Sequence, residues 1–239
     1  MYSAIVSASV DNKLMIKPAK PARENISPSD LTFGLSTCKR CLWIKYWYKV
    51  TMPGAFPLVG TMAALQEEHF QGADMPTIDS SLRPGKVTKW GEWVKSKPLV
   101  VNGAESRWRI LGKYDLVSTN DDGTIGLIDC KVSDSQRDSG QFYSPQLEAY
   151  AYALENPAAG KAQSVASMGL LVWRPTTAIG SNADDYGFGV MQKYVPVERD
   201  QANFLKVIGE FIEVLEGELP DAGSECQTCT YLVARNALD

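Results

Sequence analysis

Three residues of this chain have types and spacing suited to metal-assisted chemistry: Asp115, Asp129 and Lys131. In a strand, residues two apart share a face, so Asp129 and Lys131 are expected to point the same way. The segment 120–123, Asn-Asp-Asp-Gly, predicts a tight turn that would bring Asp115 beside them. Two carboxylates suit a hard divalent cation such as Mg²⁺, which polarises a phosphodiester oxygen and acidifies a bound water. The lysine would orient that water and offset developing negative charge.

The helix predicted after this hairpin carries two further candidates. Asp-x-Lys is a common tripeptide, and taken alone it indicates only an exposed strand end. Gln146 and Tyr150 follow it and are four residues apart, which places both on one face of a helix. The alternative interpretation of this pair is a surface glutamine and a packing tyrosine. The order of the motifs therefore carries more information than any one of them.

That order resembles the RecB-family branch of the PD-(D/E)XK nucleases, which includes the nuclease domains of RecB and AddB and the CRISPR-associated Cas4 proteins. The family pattern is Gly-x-(Ile/Val/Tyr)-Asp, then (Ile/Val)-(Ile/Val)-Asp-x-Lys, then Gln-x₃-Tyr. This chain has Gly112-Lys113-Tyr114-Asp115, then Leu127-Ile128-Asp129-Cys130-Lys131, then the pair Gln146 and Tyr150. The resemblance covers roughly residues 26 to 235.

The resemblance implies a role for each residue of these motifs. Asp115 and Asp129 would bind Mg²⁺ or Mn²⁺, with the backbone carbonyl of Cys130 as a further ligand. Lys131 would be the catalytic lysine. Gln146 and Tyr150 would shape the site or hold the substrate backbone.

One family motif is incomplete in this chain. Many members carry Gly-x₃-His on an early helix, and that histidine is a further metal ligand. Here Gly60 is followed four residues later by Ala64. His69 is the single histidine of the chain, and we name it as the candidate replacement, with Glu67 and Glu68 as alternatives. A histidine beside glutamates is also typical of an ordinary surface.

Four of the five cysteines form two Cys-x₂-Cys pairs, Cys38 with Cys41 and Cys226 with Cys229. Two such pairs suit a four-thiolate site for Zn²⁺ or an iron–sulfur cluster, and spacing does not separate the two. Cas4-type and AddB-type nucleases hold a [4Fe–4S] cluster with one N-terminal cysteine and three near the C-terminus, so the resemblance favours the cluster. The last family position is Arg235 here, and Cys41 would supply the fourth ligand. Cys130 is expected to be a buried thiol.

The pattern of elements predicts a mixed α/β fold, and the resemblance specifies a restriction-endonuclease-like core with a mixed sheet flanked by helices. We expect one domain over residues 1–239, with its core at about 98–197. An N-terminal helical part, 26–72, and a C-terminal part, 198–239, would form the cysteine region. Within it we expect a helix from Pro28 to Tyr48, a second from Val59 to Phe70, a loop over 72–86, a strand over Arg107–Ser118 and a helix from Ser144-Pro145 to Glu155.

Charge is unevenly distributed along the sequence. The net charge is −4, which argues weakly against a nucleic-acid partner. However, residues 83–113 hold eight basic side chains against two acidic ones, whereas residues 198–225 hold eight acidic against two basic. Such segregation can make one face attractive to phosphate, although two ordinary solvated faces would give the same pattern. Basic residues of the first helix alternate with aromatic ones: Trp43, Tyr46, Trp47 and Tyr48. These aromatics suit either base stacking or the core, as do Trp90, Trp93 and Trp108.

The expected function is metal-dependent hydrolysis of DNA, single-stranded and exonucleolytic, in repair, recombination or CRISPR adaptation. The expected partners are DNA and a CRISPR adaptation or recombination complex. The alternative is a catalytically weak or inactive nuclease fold that binds nucleic acid or serves as a subunit of a larger complex. Apolar runs are too short for a membrane span and no signal peptide is recognised, so a cytoplasmic location without membrane contact is expected.

Overall fold

The computed structural model describes residues 17–50, 57–133, 140–181 and 186–237. Within this part of the chain the strands, in order, are β1 Asn25–Ile26, β2 Gly85–Trp90, β3 Trp93–Lys95, β4 Val100–Val101, β5 Ala104–Glu105, β6 Arg109–Lys113, β7 Leu116–Asn120, β8 Ile125–Val132, β9 Val165–Ile179 and β10 Gly187–Val197. The helices are α1 Pro28–Thr37, α2 Lys39–Tyr48, α3 Pro57–His69, α4 Met75–Ile78, α5 Gly140–Glu155, α6 Gln201–Glu216 and α7 Gln227–Asn236.

The central sheet has five strands in the order β10-β9-β8-β7-β2. Only the pair β8 and β9 is parallel, and α5 makes the crossover between them. A second sheet, β1-β6-β3, lies alongside, and β4 pairs with β5. The predicted mixed α/β fold, with a mixed sheet flanked by helices, is confirmed.

Hydrophobic cores form on both sides of the central sheet because its middle strands alternate their side chains. Leu127 and Leu170 pack with α5 and α6, where Leu147, Phe204 and Phe211 are buried. Ile128 and Leu171 belong to a second cluster on the other side of the sheet. This cluster also holds Met75 and Ile78 of α4, and Phe70 and Leu82 from the segments before and after that helix. Asp129 and Lys131 share the α5 side with Leu127.

The predicted first helix is two helices, because the chain is extended at Cys38 (φ −167°, ψ 115°). Its N–H donates to the carbonyl of Gly34, which ends α1, and its own carbonyl accepts from Leu42 in α2. Just before the break, the hydroxyls of Ser36 and Thr37 bond back to carbonyls of the preceding turn. Such bonds compete with helix propagation. The spacing of apolar residues does not reveal them, and it therefore predicted one continuous helix.

The predicted strand over Arg107–Ser118 is also interrupted. It divides into β6 and β7 at Tyr114 and Asp115, and the two halves belong to different sheets. Periodicity did not reveal the break because both halves alternate in the same phase. The predicted loop over 72–86 contains α4 and the start of β2.

The helix α5 begins at Gly140 rather than at Ser144, so Pro145 lies inside it. Pro145 is the sixth residue of α5 and so lies past the first turn, where its missing N–H removes one hydrogen bond within the helix. The prediction placed Pro145 at the first helical position and missed one turn, which carries Phe142 and Tyr143. Among the described residues, no helix has both the length and the apolar composition needed to cross a membrane.

A buried ion pair joins α5 to the strands and helix that follow it. The Nε of Arg199 donates to Glu148, which is almost fully buried, and Nη1 and Nη2 donate to Glu155. The backbone N–H of Asp200 also donates to Glu148. These bonds anchor the side of α5 that carries Glu148 and Glu155. They thereby hold the whole helix, with Gln146 and Tyr150, against the sheet.

We predict that Arg199→Met lowers the free energy of unfolding by about 3 kcal/mol, because it leaves the Glu148 carboxylate buried without its cation. Urea denaturation measures the change. The matched control is the double variant Glu148→Gln, Arg199→Met, which should be less destabilised than the single variant. A double variant that is at least as unstable as the single one would show that Glu148 carries no uncompensated charge.

Candidate active site and cysteine cluster

The break after β6 places Asp115 beside β8. The strand pairing ends at Leu116 and Ile128, so the next N–H of β8, that of Cys130, has no backbone partner from β7. The Oδ2 atom of Asp115 accepts that N–H at 2.6 Å. The carboxylate thus replaces a ladder hydrogen bond and is fixed at the edge where the two strands diverge.

Asp129 and Lys131 share one face of β8, as the spacing predicted. The ammonium of Lys131 lies 2.5 Å from Oδ2 of Asp129, and Nε2 of Gln146 donates to Oδ1 of Asp129 at 2.8 Å. The Asp129 side chain is 4% exposed and that of Lys131 is 23% exposed. The lysine is therefore the part of this pair that faces the solvent.

Burial affects the protonation of both carboxyl groups. It raises the pKa of Asp115, and the charge of Asp129 raises it further, to about 8, against the lowering effect of Lys131 and the Cys130 N–H. Burial also raises the pKa of Asp129, although Lys131, Gln146 and Asp115 oppose it. Despite burial, the two aspartates raise the pKa of Lys131. With both carboxyl groups ionised, the site would hold more negative charge than one ammonium compensates, and a divalent cation would stabilise that state.

Tyr150 contacts the site through the backbone. Its hydroxyl donates to the carbonyl of Lys113 at 2.7 Å, so α5 is tied to the strand end that precedes Asp115. Gly112 makes this approach possible, because a Cβ atom there would lie 2.8 Å from Cε1 of Tyr150 and 2.7 Å from Cδ of Pro28. The glycine of the first motif is thus explained by close packing.

Cys130, whose backbone carbonyl is predicted as a metal ligand, lies between Asp129 and Lys131 in the sequence, and its thiol is buried as expected. Burial raises the pKa of the thiol, and so do the charges of Asp115 and Asp129. The thiol is therefore protonated and inert. It belongs to the second core cluster, on the opposite side of β8 from Lys131.

Of the three candidates on α3, Glu67 is the one whose charge acts on the site. It raises the pKa of Asp115, and its Oε2 lies 3.4 Å from Nζ of Lys113. Ala64, where the family histidine would fall, is exposed one turn earlier on the same helical face. Glu68 is exposed, and His69 is exposed with its ring against Phe70 and Trp173. The structure does not bring His69 to the two aspartates.

Sequence reasoning missed Tyr143, whose ring lies 4.7 Å from the ammonium of Lys131. Its position in the first turn of α5 was unknown because that turn was not predicted.

The aromatics of α2 are part of the core, with Trp43, Tyr46 and Trp47 all buried. The indole N–H of Trp43 donates to the carbonyl of Gly217, the residue after α6. The indole N–H of Trp47 donates to the carbonyl of Leu215 in α6. Base stacking by these three residues is excluded.

The two cysteine pairs converge at one point of the structure. The Sγ atoms of Cys38, Cys41, Cys226 and Cys229 all lie within 4.8 Å of one another. Cys41 lies 3.7 Å from both Cys226 and Cys229, and Cys38 lies 3.8 Å from Cys229. The cluster connects the start of α2 to α7, so the two Cys-x₂-Cys motifs form one four-thiol site.

The two predicted occupants require different separations between the four sulfur atoms. Four thiolates at tetrahedral angles, each ~2.3 Å from one ion, lie ~3.8 Å apart. A [4Fe–4S] cluster binds each thiolate to a different iron at its outer corner, which separates the sulfurs by roughly 6 Å. The observed spacing fits a single tetrahedral ion. Burial raises the pKa of the Cys38 thiol, but the N–H groups of Cys41 and Gly223 bring it down to about 7. Burial raises the pKa of the Cys41 and Cys229 thiols, so metal binding would have to displace their protons.

We predict that Asp115→Asn stabilises the metal-free protein relative to the unchanged chain, increasingly so as the pH rises from 5 to 8. The pKa of Asp115 is raised in the folded state, so its favourable contribution is complete below pH ~4 and is lost as the pH rises through about 8. Thermal unfolding with a chelator present measures the difference. Added Mn²⁺ should stabilise only the unchanged chain. A difference in melting temperature that does not vary with pH would contradict the raised pKa.

Comparison with known proteins identifies the family of this chain. The family described as "PD-(D/E)XK nuclease superfamily" matches residues 58–234. None of the curated proteins matches the sequence. Among solved structures, 18 chains match. One, described as "Crystal structure of SSO0001", is 15% identical, with a TM-score of 0.48 over 88% of this chain and 84% of that one. Since the family match spans well over half of the chain, this protein belongs to the PD-(D/E)XK nuclease superfamily.

Proposed function

We propose that this protein is a Mg²⁺- or Mn²⁺-dependent deoxyribonuclease of the RecB-like, Cas4-like branch that degrades single-stranded DNA from an end. The observation that carries the proposal is the pair of the half-buried Asp115 and the buried Asp129 with Lys131 beside it. Membership in a nuclease superfamily supports nucleic acid as the substrate. The order Gly-x-x-Asp, Asp-x-Lys and Gln-x₃-Tyr supports the choice of branch.

The catalytic cation would be held by the carboxylates of Asp115 and Asp129 and the backbone carbonyl of Cys130. Glu67 is the further acidic group we assign to it in place of the family histidine, because its charge raises the pKa of Asp115, whereas the ring of His69 packs against Phe70 and Trp173. When bound, a divalent cation polarises the scissile phosphate and acidifies a water. Asp115 must lose its proton for this, so cation binding becomes weaker as the pH falls.

Lys131 is placed to act on the attacking water and on the phosphate. Its ammonium is held by Asp129 and lies 4.7 Å from the ring of Tyr143, and its side chain is 23% exposed. Because its pKa is raised, it carries its charge at neutral pH and offsets negative charge that develops on the phosphate. Gln146 fixes the orientation of Asp129 through Nε2, and its Oε1, buried without a hydrogen-bond partner among the described residues, can accept from a water.

The β2–β3 turn supplies a surface suited to a phosphate backbone. Trp90 and Trp93 are exposed there, and the N–H of Gly91 donates to the carbonyl of Asp115. Two exposed lysines lie close to this turn, Lys95 in β3 and Lys113, which pairs with Trp93. Basic side chains among exposed aromatics suit a single strand. Trp108 is fully buried and takes no part.

At the cysteine cluster we propose one Zn²⁺ ion rather than the [4Fe–4S] cluster that the resemblance favours. The Sγ separations of 3.7–3.8 Å support it, as does the arrangement of two ligands from each pair. The ion would close a loop of nearly the whole chain, linking α2 to α7 and so stabilising the fold.

The proposed activity predicts metal-dependent degradation of end-labelled single-stranded DNA. Asp129→Asn and Lys131→Ala should each lower the rate by about 10²–10³-fold, because each removes charge stabilisation at the reacting phosphate. The matched control is Asp121→Asn, an exposed aspartate in the turn of the same hairpin, which should keep full activity.

A circular single strand tests the requirement for an end and should resist degradation. Binding of DNA without cleavage by the unchanged chain, with Mg²⁺ and Mn²⁺ alike, would favour the inactive nuclease fold instead. Equal rates for the unchanged chain and Asp129→Asn would overturn the assigned site. A CRISPR adaptation or recombination complex is the partner we propose from the resemblance, and co-purification with labelled chain tests it.

For the cysteine cluster we predict about one zinc and no iron per chain after anaerobic purification, measured by elemental analysis. Cys41→Ser and Cys229→Ser should each lose the zinc and lower the melting temperature, because the ion holds the chain ends together. Cys130→Ala is the matched control and should retain the zinc. A brown protein with about four iron atoms per chain would establish the cluster instead.

A further inference from the structure

A group of three aromatic rings lies at the solvent side of the candidate active site. The Phe33 ring of α1 lies 5.3 Å from that of Phe142 and 6.0 Å from that of Tyr143, both in α5. Phe142 and Tyr143 are 5.1 Å apart. All three pairs meet edge to face, at 74° or 82°. We call Phe33, Phe142 and Tyr143 the ring cluster.

The ring cluster is continuous with the reactive groups. Tyr143 lies 4.7 Å from the ammonium of Lys131, which is itself bound to Asp129. Adding the successive distances places the rings of Phe142 and Phe33 within about 10 and 11 Å of that ammonium. This is about the reach of one or two nucleotides from a phosphate held at Lys131.

Two rings of the cluster, those of Phe33 and Phe142, are open to solvent. Phe33 is 46% exposed and Phe142 is 47% exposed, whereas Leu31 and Leu147 of the same two helices are buried. The α1–α5 contact therefore does not need these rings for its core. Exposed aromatics grouped at a site, in contrast to scattered ones, indicate a binding surface.

We propose that the ring cluster binds an unpaired nucleobase next to the phosphate at Lys131, with Phe33 and Phe142 as the stacking residues. The inference rests on the proposed nuclease function and assigns its specificity for single strands. A base must present a free face to stack on a ring, and bases inside a duplex have both faces covered. The cluster would thus select unpaired DNA without reading its sequence, since every base has such a face.

The test is a double-mutant cycle in which the rings are removed from the protein and one base is removed from the DNA. Oligo(dT) strands with one abasic residue, placed at successive positions from the end, are bound to the protein in Ca²⁺ or chelator, and Kd is measured by fluorescence anisotropy. For the unchanged chain, one or two abasic positions should weaken binding about tenfold. For Phe33→Leu, Phe142→Leu that sensitivity should fall below twofold, because the stacking partner is gone.

Two matched variants control for folding and for aromatic exposure. Phe33→Tyr, Phe142→Tyr keeps both rings and should keep the full abasic sensitivity. Tyr231→Leu removes a ring of α7 that is more open, at 66% exposed, and should also keep the abasic sensitivity. The leucine double variant should unfold at a temperature close to that of the unchanged chain, since both rings are half exposed.

Abasic sensitivity that is the same in the leucine variant and the unchanged chain would overturn the inference, as would equal binding at every abasic position. Either result would leave the rings as a surface for a protein partner. The outcome is separable from the proposed activity, because binding is measured without cleavage. Cleavage by the unchanged chain with no effect of the rings refutes only the inference, and absence of cleavage with a ring-dependent Kd refutes only the activity.

Discussion

Two carboxylates buried side by side are the constraint around which this protein is organised. Asp115 lies at the break before β7 and Asp129 lies on the neighbouring β8, and one ammonium would compensate the two only in part if both were ionised. Such a pair weakens the metal-free fold, so the surrounding structure must hold it in place. The Cys130 N–H, the Gln146 amide and the Lys131 ammonium do so. The strain is local, and a bound divalent cation would relieve it.

The rest of the fold fixes the elements that carry these partners. Helix α5 supplies Gln146 and Tyr150, and its other face is locked by Glu148 and Arg199. Helix α2 is held to α6 by buried tryptophans and to α7 by the cysteine cluster. Helix α1 precedes α2 directly and reaches the reactive groups through Phe33. An ion at the four thiols would therefore stabilise the active site from a distance, without any part in the chemistry.

Much of this arrangement could be predicted from the sequence because short-range rules govern it. The two-residue spacing of Asp129 and Lys131, the turn at 120–123 and the pairing of four cysteines each follow from local geometry. Three features depend on longer contacts. The break at Asp115 exists because the strand before it, β6, and the strand after it, β7, pair in different sheets. Glu67, and not His69, acts on the site because α3 turns that face toward Lys113. The Sγ separations required the folded chain.

The most direct test of the central claim is anomalous diffraction from crystals soaked in Mn²⁺. The site described here predicts one strong peak at ligand distance, about 2.2 Å, from carboxylate oxygens of both Asp115 and Asp129. The peak should be absent from crystals of Asp129→Asn soaked in the same way. A manganese peak elsewhere, with none between the two aspartates in the unchanged chain, would contradict the assignment of this pair as the catalytic cation site.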